Sequence, residues 1–253
     1  MSDGKVVLEI CTYSLEYALA AQAGGADRVE FCTGAAEGGT TPSAGSIELA
    51  RRNLKIALNV LIRPRGGDSL YTPRELAAIR EDIMQCRRLG VDGVVVGVLL
   101  ANGHVDRERS GELVQLARPM SVTFHRAFDM AADPFTALED IISIGCDRVL
   151  TSGQAASAMD GAGLIADLVK RAGDRIIVMP GGGVRDSNLA SLAKQTGARE
   201  FHSSARTFIP SAMEYRNPRV SLGGTGDDEY QLLMADEGMV RRMRAIADQL
   251  AID

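Results

Sequence analysis

The sequence predicts an α/β protein built as a single-domain TIM (β/α)8-type barrel, and three observations predict it. Its 253 residues match the ~250 that such a barrel needs. Short apolar runs of strand length alternate with helical patterns along the chain, which implies right-handed βαβ crossovers and a parallel sheet. Polar residues gather at the C-terminal ends of those runs, where such barrels carry their sites. The densest case is Val122-Thr123-Phe124-His125-Arg126-Ala127-Phe128-Asp129. Eight runs favour closure into a ring; the alternative, an open doubly wound sheet, lacks a G-x-G-x-x-G after the first run.

Taken in order, residues 6–11 form the first strand, and Ser14 caps a helix that Gly24-Gly25 stops. The second strand is 28–32, followed by a glycine-rich loop and a helix near 47–52. The third is 57–63, and Pro73 suits the first turn of a long helix ending near Leu89. The fourth, 93–99, is apolar on both faces, as buried parallel strands are. A helix at 106–117 and the fifth strand at 121–126 follow. Asp133 and Pro134 start the next helix, which Gly145 ends. The remaining strands are 148–152, 175–179 and 200–204, with helices at 156–172 and 186–196 between them. Residues 208–228 are expected to be irregular and 236–250 to form the last helix; no self-similarity among the units is expected.

The net charge of -5 and pI near 5.4 argue against a nucleic-acid partner. No apolar run approaches the ~20 residues of a membrane span, and Met1 to Lys5 carry no apolar leader. Four scattered cysteines fit reduced thiols. These features lead to the expectation of a cytoplasmic protein.

The strand ends nominate the site. Alternation with period two puts Glu9 with Cys11, and Glu30 with Cys32, on one face of each strand. If Leu8 and Ile10 pack outward, both acids and both thiols face the barrel interior. On position alone the cysteines read as small buried hydrophobes. A carboxylate inside a barrel needs a partner, and Arg63 and Arg126 are the expected ones. Glu9, Glu30, His125 and Asp129 are the candidate acid–base groups. Arg63, Arg126, Thr151, Ser152, Gly182, Gly183, His202 and Ser203 are the candidate ligand-binding residues. The Gly181-Gly182-Gly183 loop suggests an anion site, because barrels often hold phosphate on the loops after strands seven and eight. No lysine among Lys5, Lys55, Lys170 and Lys194 ends a strand, which disfavours Schiff-base chemistry. Nucleotide cofactors are not expected.

Motifs spread over the chain resemble the CutC family of copper homeostasis proteins. They are Leu8-Glu9-Ile10-Cys11, Gly24-Gly25-Ala26-Asp27-Arg28-Val29-Glu30, Gly38-Gly39-Thr40-Thr41-Pro42-Ser43 and Ile62-Arg63-Pro64-Arg65-Gly66-Gly67-Asp68. Thr123-Phe124-His125-Arg126-Ala127-Phe128-Asp129, Arg148-Val149-Leu150-Thr151-Ser152-Gly153 and Gly181-Gly182-Gly183-Val184 continue the series in the same order. Ser69-Leu70-Tyr71 departs from the family wording, where an aromatic commonly follows the aspartate. The resemblance implies a TIM-type barrel, a cytoplasmic homo-oligomer, and copper(I) bound by Cys11 and Cys32, two inward thiols suited to a linear site. The alternative function is an enzyme acting on a small anionic or phosphorylated substrate at the barrel mouth.

Overall fold

Eight short strands, each buried on both faces, alternate with helices whose apolar sides close over them. A computed structural model describes residues 5–220 and 229–250. The strands are β1 (Val7–Thr12), β2 (Arg28–Phe31), β3 (Ala57–Leu61), β4 (Gly93–Val96), β5 (Ser121–Phe124), β6 (Arg148–Thr151), β7 (Ile177–Pro180) and β8 (Glu200–Ser203). The helices are α1 (Leu15–Ala23), α2 (Ala44–Asn53), α3 (Pro73–Leu89), α4 (Arg107–Ala117), α5 (Pro134–Ser143), α6 (Ala162–Ala172), α7 (Leu189–Thr196) and α8 (Glu237–Gln249).

All strand pairs in the main sheet are parallel, in the order β7-β6-β5-β4-β3-β2-β1-β8. The ring is a nearly closed (β/α)8 barrel: β7 and β8 form no ladder but meet side by side. A Cβ on Gly181 would lie 3.2 Å from the Cβ of His202, and Ser203 Oγ donates to the Val184 carbonyl at 2.6 Å across the seam. Capping follows the local sequence. Thr72 and Glu75 form a reciprocal capping box with Pro73 at the first turn of α3, and Asp133 accepts from Thr136 N ahead of Pro134 in α5.

The units do repeat, contrary to expectation, and the repeat sits at the bottom of the barrel. Gly25-Ala26-Asp27, Gly90-Val91-Asp92 and Gly145-Cys146-Asp147 each end a helix and enter β2, β4 and β6. The glycines have φ of +95°, +69° and +85°, the left-handed conformation that a Cβ disfavours. Each aspartate then clamps the preceding strand. Its carboxylate accepts from Leu8 N, Leu58 N or Val122 N at 2.7–2.8 Å, and its amide donates to the carbonyl of the same residue. Arg244, Arg51 and Arg118 neutralise the three carboxylates in turn. Gly197-Ala198-Arg199 occupies the equivalent place before β8, with φ +68° at Gly197, but the Arg199 carbonyl alone binds the neighbouring strand, at Val7 N. The repeat is therefore a two-strand unit, and it escapes notice because only glycine and aspartate recur.

One more departure follows β8. The segment expected to be irregular from 208 begins inside β9 (Arg206–Pro210), which pairs antiparallel with β10 (Gln231–Ala235). This hairpin lies outside the ring and carries exposed Phe208, Ile209 and Leu232; part of the expected irregular stretch, 221–228, lies outside the described residues. None of the described helices is long and apolar enough to cross a membrane.

Candidate functional site

The interior of the ring is apolar where Leu61 of β3 and Val95 of β4 face it, polar at Asn59 of β3, and charged where β1, β2, β6 and β8 do. Leu8 and Ile10 pack outward in the main core, whereas Cys11 and Cys32 meet Leu61 and Val95 inside. At the bottom, Arg28 Nε donates to Glu9 Oε2 at 2.5 Å and Arg28 Nη2 to Glu200 Oε2 at 2.5 Å, with Arg148 Nε also on Glu200 Oε2 at 2.7 Å. Arg28 is therefore the partner of Glu9, not Arg63 or Arg126. The period-two rule contained this signal, since residues 28, 30 and 32 share a face. Attention to strand C-terminal ends alone passed over it, because Arg28 opens its strand.

Above this network Glu9 Oε1 contacts His202 Nδ1 at 2.7 Å, and His202 Nε2 lies 3.9 Å from Glu30 Oε2. Burial by itself would raise the Glu9 pKa, but the Arg28 guanidinium and the His202 bond outweigh it and hold Glu9 at about 2. Burial also opposes charge on His202, yet Glu30, Cys11 and Glu9 together push it well above the ordinary imidazole value. For Glu30 burial prevails, reinforced by negative charge at Cys11, and the carboxyl is pushed well above the usual range. The two sulfurs are 3.7 Å apart. The hydrogen bond from Cys32, helped by His202, lowers Cys11, while burial raises Cys32. The two shifts run in opposite directions because the sulfurs face each other within hydrogen-bonding reach.

These groups make a metal-competent cluster. One donor atom each from Cys11, Glu30 and Cys32 lies within 4.8 Å of the others, and the same holds for Glu9, Glu30 and His202. A linear thiolate–metal–thiolate unit spans ~4.6 Å at the ~2.3 Å typical of metal–sulfur bonds. The 3.7 Å separation is shorter than that span, and Glu30 is the further donor grouped with the two sulfurs. Glu9 on Nδ1 orients the His202 ring and turns its Nε2 toward Glu30.

A cavity of about 860 Å³ opens above this floor, lined among others by Cys11, Glu30, Arg63, His125, Arg126, Gly182, Gly183, His202 and Ser203. Glu9, which the sequence placed with the acid–base groups, lies beneath it and reaches it only through His202. Arg63 lines the cavity, but its N–H groups are engaged by backbone carbonyls. Its guanidinium donates to the carbonyls of Glu37, Gly39 and Gly67 at 2.7–2.8 Å and ties two loops together. Asp129 is saturated: it accepts from Arg126 Nε, Thr151 Oγ1, Ser152 N and Oγ, and Gln154 N. That corrects its reading as an acid–base group. Thr151 and Ser152 are fully buried, and their hydroxyls serve Asp129 and the β6 loop, which corrects their reading as ligand contacts. Ser203 lines the cavity, but its hydroxyl is taken by Val184 O and Ala205 N.

His125 is different. Its Nδ1 accepts from Ala127 N at 3.0 Å, so the neutral ring carries its proton on Nε2, and that buried nitrogen has no partner among the described residues. Burial, aided by the Arg63 charge, lowers its pKa to about 4. The imidazole resonance of His125 should therefore stay flat between about pH 8 and 5 and move only near 4. Because the folded form resists protonation, stability is lost as pH falls from the ordinary 6.5 through that value. A mid-point near 6.5 in an NMR titration would refute this placement.

A nearly closed parallel barrel with a thiol, carboxylate and imidazole floor beneath a basic mouth defines a TIM-barrel protein with a candidate metal centre. Comparison with known sequences makes the assignment specific. The chain belongs to the CutC family, whose model matches residues 6–207. It is 53% identical over 243 residues to a family protein CutC of Chromobacterium violaceum, covering 96% of this chain and 98% of that one. It is 45% identical to the human copper homeostasis protein cutC homolog, covering 97% and 90% respectively. The solved structure of CutC from Streptococcus agalactiae superimposes with a TM-score of 0.76 at 32% identity, covering 79% of this chain and 98% of that one.

Proposed function

We propose that this protein serves copper homeostasis by holding copper(I) between Cys11 and Cys32 at the floor of the barrel. The observation that carries the reading is the thiol pair, 3.7 Å apart and within reach of Glu30. Soft thiolates select copper(I) over hard cations. The lowered pKa of Cys11 favours its thiolate form, and because metal ligands must be deprotonated, loading would release protons from the site. Glu30, the acid grouped with both sulfurs, would supply the further donor. All four cysteines are free, which supports work in a reducing cytoplasm. Homo-oligomer formation belongs to the same proposal, and the exposed Phe208, Ile209 and Leu232 of the hairpin support it.

Anaerobic titration against a competing copper(I) chelator tests this. Wild-type protein should take up one equivalent, and Cys11→Ser with Cys32→Ser should take up none. Glu9→Gln, which loosens the histidine beside Glu30, should weaken affinity by about 10–100-fold. Unchanged affinity in the double variant would exclude this site. A second reading, an enzyme for a small anionic substrate, draws on a separate set of residues at the mouth.

A further inference from the structure

The mouth of the barrel carries an arrangement that copper binding does not use. The amides of Gly182, Gly183 and Val184 bond to no group among the described residues. Gly182 and Gly183 have φ of +97° and +78°, a backbone turn that exposes successive amides as an anion concavity. The Arg126 guanidinium lies directly against this loop: a Cβ on Gly182 would sit 3.6 Å from its Cζ and 3.7 Å from its Nη1. Asp129 and Ser152 grip Arg126 through Nε and Nη2, so the Nη1 edge is held beside the glycines. Arg185 and Arg206 line the same cavity and have no acidic partner among the described residues. The lining holds three acids, Glu30 near His202, Asp68 paired with Arg65 and Asp129 paired with Arg126, against the four arginines Arg63, Arg126, Arg185 and Arg206. The region therefore presents net positive charge.

The second, independent feature is His125, which is 7% exposed, lines the cavity and keeps an unpartnered Nε2. With Nδ1 engaged by Ala127 N, Nε2 can only donate. A buried donor without an acceptor is costly, and a ligand oxygen would relieve that cost. Leu61, Leu99 and Leu150 add apolar wall.

We propose that the mouth binds a phosphate monoester, its phosphate on the Gly182–Gly183 amides and Arg126, its carbonyl or hydroxyl oxygen on His125 Nε2–H. This deepens the second reading and is independent of the thiol pair. The phosphate is a dianion that matches unpaired amides and a fixed guanidinium. The oxygen-bearing carbon chain lies between that end and the acid and thiol floor.

Calorimetry with glycerol 3-phosphate, inorganic phosphate and glycerol tests the site. Glycerol 3-phosphate should bind saturably, inorganic phosphate more weakly, and glycerol not at all. Arg126→Gln should weaken glycerol 3-phosphate by about tenfold or more. His125→Asn keeps an acceptor for Ala127 N and removes the inward donor; it should weaken the ester but not inorganic phosphate. Cys11→Ser with Cys32→Ser should leave ester binding intact, which separates this site from copper loading. If His125→Asn fails to fold, Arg185→Gln at the exposed rim gives a further variant, expected to weaken both phosphates. Absence of saturable phosphate binding at millimolar concentration overturns the proposal, as does equal binding by wild type and Arg126→Gln.

Discussion

Replacing Arg28 with methionine is expected to destabilise the fold by about 3–5 kcal/mol, the range for breaking a buried ion pair on one side. The Arg28 side chain is 7% exposed and bridges Glu9 and Glu200, themselves 1% and 9% exposed. Without it Glu9 has only His202 and a 3.5 Å contact from Asn59 Nδ2 to offset burial. At 2–4 °C per kcal/mol for a chain of this size, the melting temperature should fall by roughly 10 °C. The pH dependence gives a second readout. In the wild type Glu9 is depressed from 4.5 to about 2, so its stabilisation is present above 4.5 and lost as pH falls toward 2. In the variant burial prevails and pushes Glu9 upward, so the deficit should grow as pH rises. Thermal unfolding at several pH values measures both, and a loss below about 1 kcal/mol would show that the network is solvated.

Asp129→Ala should be nearly as damaging, because one carboxylate serves five donor groups. Thr151 Oγ1, Ser152 N and Gln154 N would lose their acceptor in a buried loop, each at about 1–3 kcal/mol before relaxation, while Ser152 Oγ keeps Ala155 O at 2.7 Å. The loop holds Gln154 at φ +53°, a conformation disfavoured for any residue with a Cβ, and Gln154 Nε2 is tied to Ala131 O at 2.7 Å. A net loss of about 3 kcal/mol is expected, with hydrogen exchange accelerated across residues 151–154. Asp129→Asn should lose less, since one oxygen still accepts. A folded, fully protected Asp129→Ala loop would return Asp129 to the list of free acid–base groups.

The two substitutions bracket what was legible beforehand. Glu9 and Cys11, and Glu30 and Cys32, were assigned inward by alternation alone, and they are inward. Asp129 was recognised as close to the chemistry, but its saturation was invisible, since its donors come from β6 and the loop beyond, 22 to 25 positions away. The Gly-x-Asp repeat was overlooked for a related reason. Its aspartates act on strands 19, 34 and 25 residues distant, and the flanking residues vary freely.

Sequence by itself determined the barrel class, the strand and helix order, the family and the inward residues, because period-two and period-3.6 burial and helix capping are local properties of the chain. Only the tertiary structure decided which charge meets which. It matched Glu9 to Arg28 and His202, turned Arg63 and Asp129 into loop clamps, brought the sulfurs to 3.7 Å, and left His125 Nε2 unmatched at the mouth. The physical reason is that ion pairing and desolvation depend on distances across the ring, and closure of eight strands sets those distances together.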